Sequence, residues 1–143
     1  YHSGALLLPD GRILSAGGGL CGDACTTNHP DGRIFTPPYL LNSDGSLRRR
    51  PSLSGVPSDI SLGSTVAVTA TGATNFALVR MAAVTHSINT DQRRIPLEVV
   101  AMNGDVASLR VPADSGVVLP GTYMLFALDE RGTPSLAVVT KIH

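Results

Sequence analysis

The sequence predicts an all-β protein, in which short strands typical of propeller blades precede an immunoglobulin-like β-sandwich. In the first part, the phrase Pro-Asp-Gly-Arg occurs at residues 9–12 and again at 30–33, each time followed by isoleucine. In the second part, from Pro51 onward, short apolar runs alternate with turns. No segment shows a sustained helical period, so helices are not expected to build the core.

The first element is a predicted β-hairpin between Leu6 and Leu14, where two apolar runs flank an Asp-Gly turn at residues 10–11. Asp-Gly between apolar runs is a strong short-range hairpin signal. Three consecutive glycines at 17–19 end the second strand. The stretch 36–51, with its prolines and turn residues, indicates a linker or domain boundary.

The arginine triplet at 48–50 lies in this boundary. It is isolated in a neutral chain with few aromatic residues, so we interpret it as solvated or as forming interdomain salt bridges, and not as a nucleic-acid site.

The second part contains about seven short predicted strands, which at this spacing are typical of an immunoglobulin-like sandwich. The clearest candidates are Thr65–Ala70, Phe76–Met81, Leu97–Met102, Ala107–Val111, Tyr123–Leu128 and Leu136–Ile142. A polar loop predicted at 84–96 is long for a sandwich connection and carries His86 near its start. Long structured loops often carry function.

Composition limits the classes of protein that fit the chain. Its 143 residues suit one domain, or a small domain with a fragment of another, and 43% of them are hydrophobic. Lys plus Arg and Asp plus Glu number 11 each, so no net charge draws the chain to nucleic acid or to an anionic membrane. The apolar runs are shorter than the ~20 residues of a spanning helix. The chain shows no signal peptide and begins with Tyr instead of Met, so we expect further sequence upstream of Tyr1.

The two cysteines, Cys21 and Cys25, are separated by three residues in a glycine-rich loop. A zinc finger would need a second ligand pair, and a thioredoxin-type site has two intervening residues. A small structural disulfide, which implies an oxidising compartment, is the favoured interpretation, and two free thiols are the alternative.

Tyr1, His2 and His86 are the candidate metal ligands. Imidazole suits zinc, copper, iron and nickel, and a phenol oxygen without a thiolate narrows the choice toward copper or iron. Both Tyr1 and His2 can reach one metal only if the backbone there is irregular or the metal lies beyond a strand end, because neighbours in a strand point to opposite faces. Taken singly, a loop histidine and a terminal tyrosine could equally be surface residues.

Other polar residues have simpler interpretations. We expect His29 to be structural, holding the loop after the cysteines, and His143 to belong to a terminal tail. Asp91, Arg93 and Arg94 are interpreted as ion pairs that brace the long loop, with a catalytic role as the lesser alternative.

Several uncommon strings together resemble the galactose oxidase family of copper-radical oxidases. They occur in the family's order and cover nearly the whole chain, at residues 1–3, 6–12, 17–23, 26–29, 85–97, 111–117 and 119–121. The resemblance implies that residues 1–38 are the last part of a seven-bladed propeller and that 39–143 form a C-terminal sandwich domain. The loop 84–96 would then pass through the propeller's central channel.

The resemblance also implies roles for single residues. Tyr1 matches the axial copper ligand and catalytic base, and His2 and His86 match the two histidine ligands. Cys21 and Cys25 resemble a local disulfide of the family, with one additional residue between them. The family's radical cofactor, a tyrosine cross-linked to a cysteine, would lie upstream of Tyr1, so the resemblance does not imply that this chain alone is active.

The implied reaction is oxidation of a primary alcohol to an aldehyde, with O2 reduced to H2O2. The implied partners are a small alcohol or sugar, O2 and an upstream propeller region, with no nucleic acid and no membrane, in a secreted or extracellular protein. The alternative from a different class is a non-catalytic sandwich module for carbohydrate binding or domain packing.

Overall fold

A computed structural model describes residues 2–19, 22–24 and 26–143. The predicted ligand Tyr1 and the predicted disulfide partners Cys21 and Cys25 lie outside the described residues. Across the described ranges, regular structure consists of ten strands and two single-turn 3-10 helices, Gly22–Ala24 and Pro38–Leu40, which confirms the all-β class. Neither helix found there is long and apolar enough to cross a membrane.

Three strands near the start of the chain form an antiparallel sheet. They are β1 (Gly4–Leu7), β2 (Ile13–Ala16) and β3 (Gly32–Phe35), in that spatial order. The predicted Asp-Gly hairpin is confirmed, because Leu7 pairs with Ile13 across a turn closed by the Leu8 amide and the Arg12 carbonyl at 2.8 Å. The second Pro-Asp-Gly-Arg phrase is used differently, since its last two residues already belong to β3.

Seven strands form the sandwich. They are β4 (Asp59–Ile60), β5 (Thr65–Thr69), β6 (Asn75–Arg80), β7 (Arg94–Asn103), β8 (Val106–Arg110), β9 (Gly121–Leu128) and β10 (Val138–Ile142). The hydrogen-bonded order is β4-β10-β9-β6-β7-β8-β5. The predicted strands are confirmed to within a few residues, except that the two-residue β4 was missed.

Strand β7 joins the two layers of the sandwich. Its first residues pair with β6, its later residues pair with β8, and the register shifts between Val99 and Ala101. A bulge of this kind bends a strand and increases its twist. The predicted loop 84–96 is therefore wrong at its end, because β7 begins at Arg94. Burial of Ile95 and Leu97 holds this segment in the sheet although Pro96 lacks a backbone donor.

Strands β6 and β9 are buried on both faces, which explains their continuous apolar sequences. One face packs in the main core with β5 and β8, where Phe76, Leu78 and Leu125 are almost fully buried. The opposite face, with Val79, Met124 and Phe126, packs against Leu7 of the hairpin. We name this second face, formed by Val79, Met124 and Phe126, the apolar seat of the hairpin.

Arg50 fastens the hairpin to this seat. Its Nε donates to the Pro134 carbonyl at 2.7 Å, and its Nη2 donates to the carbonyls of Asp10 at 2.5 Å and Ser135 at 3.2 Å. At Arg50 the predicted salt bridge is replaced by hydrogen bonds to backbone carbonyls, which join the hairpin to residues 134–135.

Gly11, at the hairpin turn, allows this close approach. Its φ is 78°, and an added Cβ would lie 3.1 Å from Arg50 Nη2 and 3.2 Å from a Pro134 ring atom. The Tyr39 hydroxyl donates to the Gly11 carbonyl at 2.5 Å, and burial raises the pKa of Tyr39, so the donor keeps its proton. The Asp-Gly turn is therefore both a hairpin turn and a docking point.

We expect Arg50→Lys to destabilise the protein, because an ammonium cannot reproduce the planar, forked hydrogen bonding of a guanidinium. The free energy of unfolding should fall by about 1–3 kcal/mol, the usual effect of leaving partly buried carbonyls unpaired. Urea denaturation measures this, and Arg49→Lys, at the exposed neighbour, is the matched control with little expected change. Equal stabilities for the two variants would contradict the role given to Arg50.

Candidate metal centre

The loop that carries His86 spans residues 81–93 between β6 and β7, and we name it the histidine loop. Its base is closed by the Arg80 amide donating to the Arg93 carbonyl at 3.0 Å. Its tip is a two-residue turn, because Thr85 and Ile88 exchange backbone hydrogen bonds of 3.1 and 2.9 Å around His86 and Ser87.

Both central residues of this turn have left-handed backbones, with φ of 52° at His86 and 62° at Ser87. Positive φ at both positions is the pattern of a type I′ turn, which strongly favours Asn-Gly. A non-glycine residue held in this region costs on the order of 1–3 kcal/mol, and such residues cluster at functional sites. His-Ser at this tip therefore marks stored strain beside a reactive side chain.

His2 has the same unusual backbone, with a φ of 58°, and it lies two positions before Gly4, the first residue of β1. The backbone is thus irregular at the position where two neighbouring ligands would require it. The imidazole of His2 meets that of His86, with ring centroids 4.7 Å apart and planes at 81°. The structure therefore brings together two predicted ligands that lie more than eighty positions apart in the sequence.

The hairpin and the histidine loop are packed tightly beside the imidazole pair. A Cβ added to Gly4 would lie 2.9 Å from a Val84 methyl carbon, so a larger residue there would force the Val84 side chain to move. The two histidines open onto a depression of about 220 Å³ with mainly aliphatic walls. Its other lining residues include Leu6, Leu14 and Ala16 of the hairpin.

Thr85 orients the His86 ring. Its hydroxyl oxygen lies 2.7 Å from His86 Nδ1, which occupies that nitrogen and leaves Nε2 for another partner. Metal-binding histidines are commonly held in this way, with one nitrogen fixed by a protein group and the other on the metal. His86 is exposed and His2 is half-buried, with its Nε2 atom buried.

The donor set fits a metal ion that imidazole binds, but the described residues do not complete it. Within residues 2–19, 22–24 and 26–143, no group of three or more His, Cys, Asp or Glu side chains could hold a metal ion. The two adjacent imidazoles would supply two ligands to such an ion, and further ligands would have to come from other groups. Tyr1 precedes His2 directly in sequence and carries a phenol.

The remaining sequence-predicted residues lie elsewhere. His29 is exposed, with its Nδ1 3.7 Å from an Asp31 carboxylate oxygen and its amide bonded to the Gly18 carbonyl. The tail interpretation of His143 is wrong, because its amide donates to the Ile60 carbonyl at 3.1 Å and its carbonyl accepts from Leu62 at 2.9 Å.

The charged residues of the histidine loop take separate roles. Asp91 forms an ion pair with Arg80, as the bracing interpretation predicted. Arg93 donates to the Gly116 carbonyl at 3.2 Å, and Arg94 begins β7. Sequence reasoning missed Arg80 and the Thr85 hydroxyl, because an arginine in a strand and a threonine beside a histidine carry no distinctive pattern.

These features define a class: an all-β sandwich domain whose strained loop brings an imidazole to a second histidine, as a metal-binding domain would. Residues 50–142 match the family described as galactose oxidase-like, early set domain. The chain belongs to this family, which confirms the resemblance seen in the sequence.

Three relatives show the extent of the similarity. The galactose oxidase of Gibberella zeae is 48% identical over 99% of this chain and 21% of its own length. An aldehyde oxidase of Vitis pseudoreticulata is 29% identical over 96% of this chain and 28% of its own length. The solved structure of a fungal alcohol oxidase of the AA5 family, in complex with copper, has a TM-score of 0.85 and 44% identity, covering 98% of this chain and 30% of that one. The chain thus spans about a fifth of the length of the galactose oxidase it resembles.

We expect Ser87→Gly to stabilise the protein, because glycine adopts the observed positive φ without the Cβ penalty. The gain should be about 1 kcal/mol, since relief of the left-handed strain exceeds the extra chain entropy of glycine. Thermal denaturation measures it, and Ser87→Ala, which keeps a Cβ, is the control with no expected gain. A Ser87→Gly variant less stable than Ser87→Ala would show that the turn is not strained.

Proposed function

We propose that this chain is the C-terminal part of a copper-radical alcohol oxidase, which converts a primary alcohol and O2 to an aldehyde and H2O2. Its own contribution is three copper ligands, namely His2, His86 and Tyr1. The contact between the His2 and His86 rings, with centroids 4.7 Å apart, carries this proposal. The copper named in the structure of the similar alcohol oxidase favours copper over iron.

Each residue has a defined task in this proposal. His2 and His86 bind copper as neutral imidazoles, and Thr85 fixes the His86 tautomer by accepting a hydrogen bond from Nδ1–H. Tyr1 would be a further copper ligand and the general base for the substrate hydroxyl proton, which requires it as a phenolate. When bound, copper supplies Lewis acidity and one-electron redox capacity.

The rest of the oxidase would lie upstream. We assign residues 1–38 to the last part of a seven-bladed propeller, with the tyrosine–cysteine radical cofactor in the preceding sequence. Strand β3 supports this assignment, because it forms one edge of its sheet and leaves Ile34 and Phe35 each 52% exposed. Unprotected apolar edge strands are uncommon in complete domains, so we expect further propeller strands to cover it.

Residues 39–143 form the domain that delivers the histidine loop. Its assignment as immunoglobulin-like is supported by Tyr123 near the start of β9, whose hydroxyl donates to the Leu119 carbonyl at 2.7 Å. A tyrosine at this position is a feature of such sandwiches. A disulfide between Cys21 and Cys25, secretion, and a small alcohol or sugar as substrate complete the proposal.

Copper binding by the complete protein tests this function. We expect about one copper ion per chain, with an electron paramagnetic resonance spectrum showing nitrogen ligation. His2→Ala and His86→Ala should each remove most of the bound copper, because two-nitrogen coordination is lost. His29→Ala, at an exposed histidine outside the site, should leave copper content unchanged.

Copper content that is unaffected by His2→Ala and His86→Ala would exclude these residues as ligands. A complete protein that binds no copper would instead favour the alternative, a non-catalytic sandwich module.

Thr85 gives a finer prediction. Thr85→Val replaces the hydroxyl with a methyl group of similar shape, so His86 Nδ1 loses the partner that lies 2.7 Å away. We expect copper affinity to fall by about 10–100-fold, as is usual when a partner of a metal-bound histidine is removed. Competition with a chelator measures the affinity, and Thr85→Ser, which keeps the hydroxyl, should retain most of it. Equal losses in both variants would point to packing as the cause.

A further inference from the structure

Arg80 stands where the histidine loop leaves the sandwich. It is the last residue of β6, its backbone pairs with Tyr123 of β9, and its side chain is only 18% exposed. A guanidinium in this position is rigidly held, since the strand fixes one end and the surrounding groups fix the other.

Three groups surround the Arg80 guanidinium. Nη1 forms an ion pair with the Asp91 carboxylate, and Nη2 donates to the Pro120 carbonyl at 3.2 Å. A Cβ added to Gly121, whose φ is 152°, would lie 3.0 Å from Nη2, so the glycine lets the side chain lie against the backbone. Asp91 supplies the carboxylate that compensates this largely buried charge.

From Asp91 the contacts continue toward the tip of the loop. The backbone N–H of the next residue, Gln92, donates to the Asn89 side-chain oxygen at 3.1 Å. In return, Asn89 Nδ2 donates to Gln92 Oε1 at 3.2 Å. Asn89 directly follows Ile88, which closes the strained turn around His86 and Ser87. A short series of hydrogen-bonded groups therefore connects Arg80, at the end of the sheet, with the turn that carries the His86 imidazole.

The strain at the tip requires such a support. Two adjacent left-handed residues together cost a few kcal/mol, which a free loop would release by relaxing. Tyr123 adds a rigid wall behind Arg80, because burial raises the pKa of its phenol, which stays neutral and bonded to Leu119.

We propose that Arg80 and Asp91 are positioning residues for the copper site: they hold the His86-Ser87 turn in its left-handed conformation and so keep His86 facing His2. The pair does not touch the metal, and it acts through the Asn89–Gln92 contact and the turn. This inference rests on the proposed function for its copper readout, but the positioning itself is a property of the metal-free protein.

The test uses the complete protein with Asp91→Asn, which removes the charge and keeps the shape. Glu98→Gln is the matched control. Glu98 lies in β7, the strand that follows the histidine loop, and its carboxylate forms an exposed ion pair with Arg110 of β8 at 3.5 Å. Two quantities are measured: copper affinity by chelator competition with the Cu(II) resonance spectrum, and amide hydrogen exchange of peptides from residues 81–93 in the metal-free state.

We expect Asp91→Asn to weaken copper binding about tenfold, to alter the Cu(II) spectrum and to speed exchange at the Ile88 amide, which closes the turn. Glu98→Gln should change none of these. Adding Ser87→Gly to Asp91→Asn should restore part of the affinity, because glycine needs less support at positive φ. General destabilisation would instead speed exchange in peptides from the rest of the sandwich as well as in those from residues 81–93.

The outcomes separate the two proposals. If the protein binds copper through the histidines and Asp91→Asn changes neither the spectrum nor the exchange, the positioning inference is wrong while the function stands. If the protein binds no copper but Asp91→Asn speeds exchange at the turn, the function is wrong while the positioning stands. Unchanged exchange in the absence of copper binding overturns both.

Discussion

The double-sided burial of β6 and β9 is the constraint on which the rest of the structure depends. One face of these strands closes the sandwich core, and the other seats the hairpin through Leu7. Because His2 stands just before the hairpin's first strand and the histidine loop leaves from the end of β6, one apolar interface fixes the relative position of both imidazoles. Apolar burial contributes about 25 cal/mol per Å² but has no direction. Arg50 and Tyr39 supply the direction, because their hydrogen bonds to Asp10 and Gly11 admit one placement of the turn.

In this arrangement the strained backbone lies at the candidate metal centre, whereas the apolar contacts and hydrogen bonds that stabilise the fold lie elsewhere. Three left-handed non-glycine residues occur in the described part of the chain, and all three are at the candidate metal centre: His2, His86 and Ser87. Chance would spread such residues over the many turns of the fold, which instead use glycine, as at Gly11. Their concentration beside one depression is what a preorganised ligand set requires, because an imidazole already held in position loses little freedom when a metal binds.

Sequence patterns gave most of the fold, since alternation and apolar runs report directly on burial. The Asp-Gly hairpin and most sandwich strands follow from such local signals. The start of β7 could not be obtained in this way, because Pro96 disfavours a strand and only the burial of Ile95 and Leu97 in the tertiary core overrides it. The two-residue β4 is held by its parallel pairing with β10, a contact that no local pattern encodes.

The residues of the candidate site likewise divide into those that the sequence indicated and those that only the folded structure shows. His2 and His86 were found through the family resemblance, because each histidine alone is uninformative. Two of their supports, Arg80 and Thr85, were missed, since they act through distances and directions that exist only after folding. The His86-Ser87 turn is the clearest case: its sequence lacks the Asn-Gly signal of such turns, so the local preference opposes the structure that the site needs. A conflict between local preference and fold is expected where function, and not stability, selects the residue.

Dividing the ligands between two elements has a thermodynamic consequence. A metal ion that requires both His2 and His86 binds only when the hairpin and the histidine loop are docked on the same sandwich. By linkage, any free energy gained from the metal is added to that docking, and any loosening of the docking weakens the metal site. The Gly4–Val84 contact makes the coupling short-ranged, because the space between β1 and the loop is too small for even one added methyl group at Gly4, whose Cβ would lie 2.9 Å from Val84. The apolar seat, the hydrogen bonds of Arg50 and the imidazole pair therefore form one cooperative unit. In this unit the sandwich holds the hairpin and the histidine loop, which are distant in sequence, next to each other.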